Sequence, residues 1–286
     1  MIIITIAIVL IIILLLSIYV YYESNGYHIV SYNINSNKIS GELKIVFISD
    51  LHNKQYGHHN EQIEKAIDEI NPDFVCLGGD MITSCLEKWT DYSDTMEFVK
   101  NIAKKYTVFY GMGNHEERLN RVPEKFPKDA HEKLISTLSE INAPIMDDDK
   151  VSYNDNIVIY GLNLDHEYYR KFVTKHFSES YLKEKLGDLD KDKFNILIAH
   201  NPEHFEGYAK WGADLVLSGH VHGGIVRLPL LGGVISPALK LFPKYDGGIF
   251  KENESVMVLS RGLGAHTVPV RVNNKAELIE IVITNG

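Results

Sequence analysis

Residues 43–52 read LKIVFISDLH, and this stretch decides the fold. The apolar run at 45–48 is typical of a short strand buried in a parallel sheet, and it leads directly into Asp50 and His52. Alternate residues of extended backbone share a face, so the two side chains are expected to point the same way. A carboxylate and an imidazole so placed suit a divalent metal, although a turn with a hydrogen-bonded histidine is the more frequent origin of this motif.

The pattern of a short apolar strand followed by an amphipathic helix recurs in both halves of the chain. The predicted strands lie at 27–35, 45–48, 73–77, 106–110, 150–153, 156–162, 194–199, 214–217, 255–260 and 277–284. The predicted helices lie at 59–70, 91–104, 131–141 and 203–211. Segment 165–192 is polar, aromatic and partly helical, and its role is the least readable in the chain. The alternation predicts an α/β fold, a four-layer α/β/β/α sandwich of two mixed sheets flanked by helices.

Five of the predicted strands end in side chains that can bind metals, and the carboxyl ends of strands are where α/β proteins build their sites. These side chains are Asp50 and His52, Asp80, Asn114 and His115, His200, and His220 and His222. Each alone has a plain explanation as a turn, a helix cap or a core histidine. Together they would be costly to bury without cations, so we expect two divalent metal ions. Nitrogen and oxygen ligands without cysteine suit Mn, Fe or Zn, and the imidazoles fit Ca poorly.

The first 20 residues are almost all Ile, Leu and Val, enough for a helix to cross a bilayer core of about 30 Å. Tyr19, Tyr21 and Tyr22 then resemble an interfacial aromatic belt. The absence of an Ala-x-Ala-like site argues against a cleaved signal peptide, and the absence of a polar face argues against a core helix of a soluble protein. We predict a single-pass membrane anchor at 1–22 and one domain at 23–286. A slight charge bias favours an extracytoplasmic domain.

The overall charge excludes one class of partner. The 286 residues carry a net charge of −9, with 38 acidic and 29 basic residues, and the basic residues form no cluster. A nucleic-acid-binding protein normally shows a basic stripe, so no nucleic-acid partner is expected.

The motif blocks D-x-H, G-D, G-N-H-E, a lone H and G-H-x-H follow one another from Asp50 to His222, and in this order they resemble the calcineurin-like metallophosphoesterases. Blocks at 223–229, 241–245 and 260–264 resemble the branch of membrane-anchored or exported bacterial phosphoesterases that includes YkuE and YaeI. The resemblance implies that Asp80 bridges two metal ions. It assigns Asp50, His52 and His222 to one ion and Asn114, His200 and His220 to the other.

The resemblance also implies an activity. A metal-activated water would hydrolyse phosphodiester or pyrophosphate bonds, and His115 would protonate the leaving oxygen. Two alternatives stay open. One is a lipid-linked pyrophosphatase of the UDP-2,3-diacylglucosamine hydrolase type, for which the apolar, Gly-rich stretch 225–242 could border the metals. The other is a metal-binding scaffold without catalysis, which would be expected to lack some ligands or His115.

Two departures from the family pattern affect these expectations. The G-D-x-x-D-R-G block of protein Ser/Thr phosphatases is absent after Asp80, which disfavours a phosphoprotein substrate and leaves open what orients His115. Glu116 stands where this branch commonly has Asp, and the change is expected to be minor because the position is not a ligand. Outside the motifs, His204 and Arg261 are the candidate phosphate contacts.

Overall fold

The structure is a computed structural model. It describes residues 1–87, 89–170, 175, 177–178, 180–228, 231–235, 241–265 and 269–285.

Seven α-helices lie in the described part of the chain. They are α1 (Ile2–Asn25), α2 (Glu61–Ile70), α3 (Ser93–Ala103), α4 (Asn114–Arg121), α5 (Ala130–Glu140), α6 (Tyr181–Leu186) and α7 (Phe205–Trp211). The first is the one described helix that is long and apolar enough to cross a membrane, and none of its residues is buried. It ends three residues beyond the predicted anchor because the polar Glu23, Ser24 and Asn25 continue the helix.

The described strands are β1 (Tyr27–Asn35), β2 (Glu42–Ile48), β3 (Phe74–Leu77), β4 (Thr107–Gly111), β5 (Ile145–Met146), β6 (Asp149–Asn154), β7 (Ile157–Leu162), β8 (Phe194–Ala199), β9 (Leu215–Ser218), β10 (Arg227–Leu228), β11 (Gly232–Gly233), β12 (Gly248–Glu252), β13 (Ser255–Leu259) and β14 (Ala276–Thr284). Twelve of them form two six-stranded sheets, in the orders β1-β14-β2-β3-β4-β5 and β12-β13-β9-β8-β7-β6. Each sheet combines parallel and antiparallel pairs, so the prediction of two mixed sheets is confirmed.

Three apolar clusters establish the layer order. One cluster fills the space between the sheets, where Phe47 and Phe109 of the first sheet meet Ile198 of the second. A second cluster packs α2 and α3 on the outer face of the first sheet, and a third packs α6 and α7 on the outer face of the second. The layers are therefore α/β/β/α, as predicted. Phe47 is fully buried, which contributes about 1.5–3 kcal/mol relative to exposure.

Strands β5, β10, β11 and β12 and helix α4 were not predicted, and for two of them the reason is identifiable. Helix α4 reads NHEERLNR, so its apolar face is reduced to Leu119 and no helical period is visible. Strand β12 pairs antiparallel with β13 at the edge of the second sheet, where half-exposed residues give no clear alternation. Within 165–192, the described residues form a 3-10 turn (His166–Tyr169) and α6, while residues 171–174, 176 and 179 lie outside the described part.

Strand direction brings the predicted site together. Strands β2, β3 and β4 are parallel, so the residues that follow them lie at one edge of the first sheet. In the second sheet β8 and β9 are parallel, and residues 200 and 219–222 follow their carboxyl ends. The hydrogen bond from Gly219 N to His200 O joins these two ends, and the one from Asp50 N to Gly79 O joins β2 to β3. We call this side of both sheets the carboxyl edge.

Candidate metal centre

Asp50 lies at the centre of the carboxyl edge and is fully buried. Its carboxylate accepts hydrogen bonds from Ser49 Oγ at 2.7 Å and from the backbone N–H of His220 at 3.0 Å. The His220 contact ties the end of the first sheet to the end of the second. Burial raises the pKa of Asp50 to about 6, because few groups around it solvate the charged form.

The first His/Asp group contains Asp50, His52 and His222, and its ligand atoms all lie within 4.8 Å of one another. His222 Nε2 is 3.3 Å from Asp50 Oδ1 and 3.3 Å from His52 Nε2. The carbonyl of Gly264 lies 3.1 Å from His222 Nδ1, and a carbonyl can only accept, so Nδ1 carries the proton. Nε2 therefore faces Asp50 while Nδ1 is bonded to a backbone carbonyl, which is the arrangement of a metal-binding histidine.

The second group contains Asp80, His200 and His220. His200 Nδ1 donates to the carbonyl of Gly78 at 2.8 Å, and its Nε2 lies 3.1 Å from Asp80 Oδ2. Burial acts to lower the pKa of His200, but the Asp80 and Asp50 carboxylates raise it to about 10. A positive charge at Nε2, from a proton or from a bound cation, would balance the negative charge of the same two carboxylates.

Asp80 belongs to the second group and also to a third one, with His52 and His115, so it connects the second group to the first. Its Oδ2 is 3.8 Å from His52 Nε2 of the first group, and its Oδ1 accepts the backbone N–H of His115 at 2.8 Å. Burial acts to raise the pKa of Asp80, but the imidazoles of His200 and His115 hold it well below its usual range. Asp80 is thus a carboxylate with histidines on both sides.

The backbone at the centre is held in unfavourable conformations. Asp50, His52, Asp80, His220 and His222 all have positive φ, between 49° and 73°. Left-handed backbone at residues other than glycine costs on the order of 1–3 kcal/mol each and concentrates at functional sites. The surrounding sheets supply the stability that keeps these residues in place.

Two glycines leave room for the carboxylates. A Cβ at Gly113 would fall on Asp80 Oδ1, and a Cβ at Gly219 would fall on Asp50 Oδ2. Any side chain at either position would displace the carboxylate beside it.

The backbone of Ser84 orients His115. The Ser84 N–H donates to His115 Nδ1 at 2.8 Å, and Ser84 Oγ donates to the His115 carbonyl at 2.8 Å. Because Nδ1 accepts, the ring proton lies on Nε2, which is 4.0 Å from Asp80 Oδ2. The segment after β3 therefore orients His115. The absence of the second Asp of the phosphatase block had left open which group does so.

Glu116 has a structural role that the sequence did not reveal, while the expectation that Glu in place of Asp is a minor change stays a prediction. Its buried carboxylate accepts the backbone N–H groups of Asp80 and Met81 at 2.9 Å, and Tyr110 Oη donates to it at 3.0 Å. Burial and the nearby Asp80 carboxylate raise the pKa of Glu116 to about 7. Glu116 fixes the loop that presents Asp80. A glutamate three residues after Gly113, at the start of α4, is the capping signal that could have revealed it.

Tyr169 was also missed, since it lies in a segment without a readable period. Its ring packs edge-on against His220, with centroids 5.1 Å apart, and lies 6.3 Å from His200. Its Oη is buried and has no hydrogen-bond partner among the described residues. A substrate oxygen is a suitable partner for such a hydroxyl.

The two candidate phosphate contacts outside the motifs have other surroundings. His204 is 4% exposed and packs against Tyr168 and Phe177, with centroids 5.4 and 4.9 Å apart. Arg261 Nε lies 3.6 Å from Glu277 Oε2, and Arg261 N donates to the same carboxylate. Neither residue belongs to the His/Asp groups among the described residues.

A groove of about 1250 Å³ includes Val221, which lies between His220 and His222 in the chain, among its lining residues. None of the described residues that line it belongs to the His/Asp groups. Its lining combines apolar residues with charged ones. The apolar residues are Phe177, Leu182, Trp211, Val221, Leu241, Phe242, Pro243 and Tyr245, and the charged ones are Lys183, Glu203, Glu206, Lys210 and Lys244.

The donor set fits divalent cations. Asn114 Oδ1 is buried and has no hydrogen-bond partner among the described residues, an arrangement that is costly unless a cation or donor completes it. The remaining donors are imidazoles and carboxylates, with no thiolate among them. Such a set suits Mn, Fe or Zn.

The sequence profile of the calcineurin-like phosphoesterases matches residues 43–224, more than half of the chain. The chain belongs to this family. The matched region contains every strand end of the centre, from Asp50 to His222. Placement in the YkuE and YaeI branch stays a prediction.

Three relatives extend this family match. An uncharacterized metallophosphoesterase of Helicobacter pylori is 26% identical over 248 residues, which cover 84% of this chain and 60% of that protein. A zebrafish (Danio rerio) transmembrane protein with a metallophosphoesterase domain is 24% identical, covering 84% of this chain and 53% of that protein. UDP-2,3-diacylglucosamine pyrophosphatase LpxG of Chlamydia muridarum is 23% identical, covering 78% of each chain. The chain thus spans less than two thirds of the length of the first two.

Proposed function

We propose that this protein is a dinuclear metal-dependent phosphoesterase that hydrolyses phosphodiester or pyrophosphate bonds. The observation that carries the proposal is the position of Asp80, which is close to His52 of the first His/Asp group and to His200 of the second. A carboxylate with two oxygens can serve both halves of a two-metal site.

The proposed ligands follow from these groups. The first cation would be held by Asp50, His52 and His222, and the second by Asn114, His200 and His220, with Asp80 shared. The orphaned Asn114 Oδ1 and the Nδ1 contacts of His200 and His222 support this assignment. When bound, the cations would supply Lewis acidity at the phosphoryl group and lower the pKa of the attacking water.

The neighbouring side chains would handle protons and orientation. His115 is held by Ser84 with its Nε2–H toward the centre, where it would donate to the leaving oxygen. Tyr169 Oη would donate to a phosphoryl oxygen beside His220. The complete donor set together with His115 disfavours a scaffold without catalysis, because a scaffold has no need of the proton donor.

A second candidate is a lipid-linked pyrophosphatase, and a specific observation favours it. The groove that includes Val221 is lined in part by Leu241, Phe242, Trp211 and other large apolar side chains, and this part suits an acyl chain of the substrate. LpxG, named as a pyrophosphatase of UDP-2,3-diacylglucosamine, is among the relatives. The substrate would then reach the centre from a membrane.

We further propose that α1 anchors the protein in a membrane as a single-pass helix, with the catalytic domain on the extracytoplasmic side. The length and hydropathy of α1, none of whose residues is buried, support the anchor. The slight charge bias supports the side.

The test uses the full chain in phosphatidylcholine vesicles, stripped of metal and reloaded with Mn, Fe, Zn, Co or Mg. We expect metal-dependent hydrolysis of bis-p-nitrophenyl phosphate, with no turnover by the stripped protein. Failure with every one of these metals would overturn the proposal. A parallel assay of lipid pyrophosphates, nucleotide diesters and teichoic-type diesters separates the two substrate candidates, and a preference for soluble diesters that survives deletion of residues 1–22 would exclude the lipid-linked one.

A further inference from the structure

The end of the anchor helix and the metal centre lie at the same edge of the first sheet. Strand β1 starts at Tyr27, directly after α1, and pairs in parallel with β14, with Tyr27 opposite Ala276. Strand β14 runs antiparallel to β2, with Ile279 opposite Phe47. The start of β1 is therefore beside the end of β2, where Asp50 follows. The helix consequently leaves the domain from the carboxyl edge.

Hydrogen bonds hold the helix against this edge. Tyr19 Oη donates to Asn273 Oδ1 at 2.6 Å and accepts from the backbone N–H of the same residue at 3.2 Å. Ser24 Oγ accepts the backbone N–H of Arg271 at 2.9 Å. The helix is thus bonded to the segment around residues 271–273, in addition to its covalent connection to β1.

That segment is part of the support of the centre. The guanidinium of Arg271 donates to the carbonyl of Gly264 at 2.8 Å, and this carbonyl accepts from Nδ1 of His222. Asn274 Nδ2 donates to the carbonyl of His222 at 2.7 Å. A chain of direct contacts therefore runs from the helix to a proposed metal ligand.

The depth of the contact places the segment at the membrane surface. At about 1.5 Å per residue, α1 rises about 26 Å from Ile2 to Tyr19, close to the thickness of a bilayer core of about 30 Å. Tyr19 thus lies near the headgroup boundary, where tyrosines concentrate. Asn273, bonded to Tyr19, lies at the same level.

Exposed apolar side chains lie on segments that are bonded to residues 271–273. Among the described residues beyond α1, seven large apolar side chains are more than a third exposed, and five of them are next to residues 271–273 in sequence or linked to them through backbone contacts. We call these five the apolar rim: Leu228, Leu231, Leu241, Phe242 and Val270. The other two are Ile29, three residues into β1, and Leu86, in the segment that follows β3 at the carboxyl edge.

Backbone contacts join the rim to the anchor. Arg227 N donates to the carbonyl of Val272 at 3.0 Å, next to Asn273. Strands β10 and β11 form a hairpin that carries Leu228 and Leu231. Phe242 N donates to the carbonyl of Val234, just after β11, at 2.9 Å. The rim is therefore one connected surface, continuous with the helix.

We propose that the apolar rim inserts into the leaflet from which α1 emerges, so that the metal centre faces the membrane surface. This inference rests on the proposed anchor and is independent of the catalytic activity. Lipid is the occupant because the surface continues a helix whose own environment is the bilayer core. With a net charge of −9, attraction to anionic lipid would be weak, so insertion is expected in zwitterionic vesicles and is insensitive to salt. Leu241 and Phe242 also line the groove, which would open at the bilayer.

The test places an environment-sensitive fluorophore on the rim of the full chain in phosphatidylcholine vesicles. Leu231→Cys carries the label in a Cys85→Ser background, since Cys76 is buried. Asp155→Cys is the control, because it is exposed in the turn before β7, at the opposite edge. Lipids with nitroxides at shallow and deep acyl positions should place the rim label about 5–10 Å into the headgroup and acyl boundary. The control label should stay unquenched.

Equal quenching at both labels, or a chain that does not stay with the vesicles, would overturn the proposal. Val270→Cys provides a second rim position if the first label disturbs the hairpin, and a water-exposed signal at both would also overturn it. Hydrolysis of bis-p-nitrophenyl phosphate is measured on the same vesicles. Quenching without turnover would count against the proposed function alone, and turnover without quenching against the rim alone.

Discussion

The two edges of the sheets differ in the burial of their aspartates and in the cationic partners of these carboxylates. At the edge opposite the centre, the carboxylate of Asp214 accepts Lys38 Nζ at 2.7 Å and the backbone N–H of Asn195 at 2.8 Å, and it is partly exposed. At the carboxyl edge, Asp50 and Asp80 are buried, and among the described residues neither forms an ion pair with a lysine or arginine. At the opposite edge a lysine balances the charge of the carboxylate. At the carboxyl edge the two buried carboxylates need another source of positive charge.

Backbone conformation differs in the same way. The left-handed residues at the opposite edge include Asn71, which ends α2, and Asn253, in the turn between β12 and β13. Asparagine tolerates this conformation and suits turns. At the carboxyl edge Asn53 and Asn273 also adopt it, but so do the aspartates and histidines of the centre and, within the rim, Phe242. Turn formation explains the asparagines, while the aspartates and histidines keep strained backbone at the places where metal ligands are proposed.

The largest effect is expected from removing the carboxylate shared by both groups. Asp80→Asn should release metal and reduce turnover by more than the about 10–100-fold that follows loss of an outer-shell partner. Asp155→Asn, at the opposite edge, should leave metal content and turnover unchanged. Metal analysis by mass spectrometry and a diester assay on both variants check this. An Asp80→Asn protein with full metal content would contradict the bridging role.

The next effect concerns the proton donor. His115→Ala should keep its metal and lose turnover by about 10²-fold or more. Ser84→Ala is the matched comparison, because it retains the backbone N–H that holds His115 Nδ1 and should stay close to the parent rate. If Ser84→Ala instead matched His115→Ala, the hydroxyl rather than the backbone would be the orienting group. Unchanged turnover of His115→Ala would remove this residue from the mechanism.

Glu116→Gln should act mainly through stability. A neutral amide cannot accept all the hydrogen bonds from Asp80, Met81 and Tyr110, so the free energy of unfolding should fall by about 2–4 kcal/mol. The neighbouring Glu117 pairs with Arg121 on the surface of α4, and Glu117→Gln should cost about 0.3–0.5 kcal/mol. Urea unfolding of both variants measures the difference. Similar midpoints would show that Glu116 does not hold the loop.

The contrast between the edges also explains what the sequence could reveal. Apolar runs and the residues that end them predicted ten of the fourteen described strands and every member of the His/Asp groups, because a parallel sheet collects its carboxyl ends at one edge. The support of Asp80 and His115 was hidden, since Glu116 and Ser84 act through contacts between segments more than 30 residues apart in sequence. Helix α4 was not predicted because it has almost no apolar face. Its position is determined by the capping contacts at its start and by the metal centre that its first residues belong to.

The smallest expected effect tests the residue that no motif indicated. Tyr169→Phe keeps the ring against His220 and removes only the buried hydroxyl. A single neutral hydrogen bond contributes about 0.5–1.5 kcal/mol, so turnover should fall by about 2–10-fold with metal content unchanged. Tyr168→Phe, whose ring belongs to the aromatic cluster around His204, should leave the rate as it is. Measuring kcat and KM separately shows whether the hydroxyl acts in substrate binding or in the transition state. A rise in KM alone would mean that it binds substrate without acting in the transition state, and a loss of metal from Tyr169→Phe would assign it to the support of His220 instead.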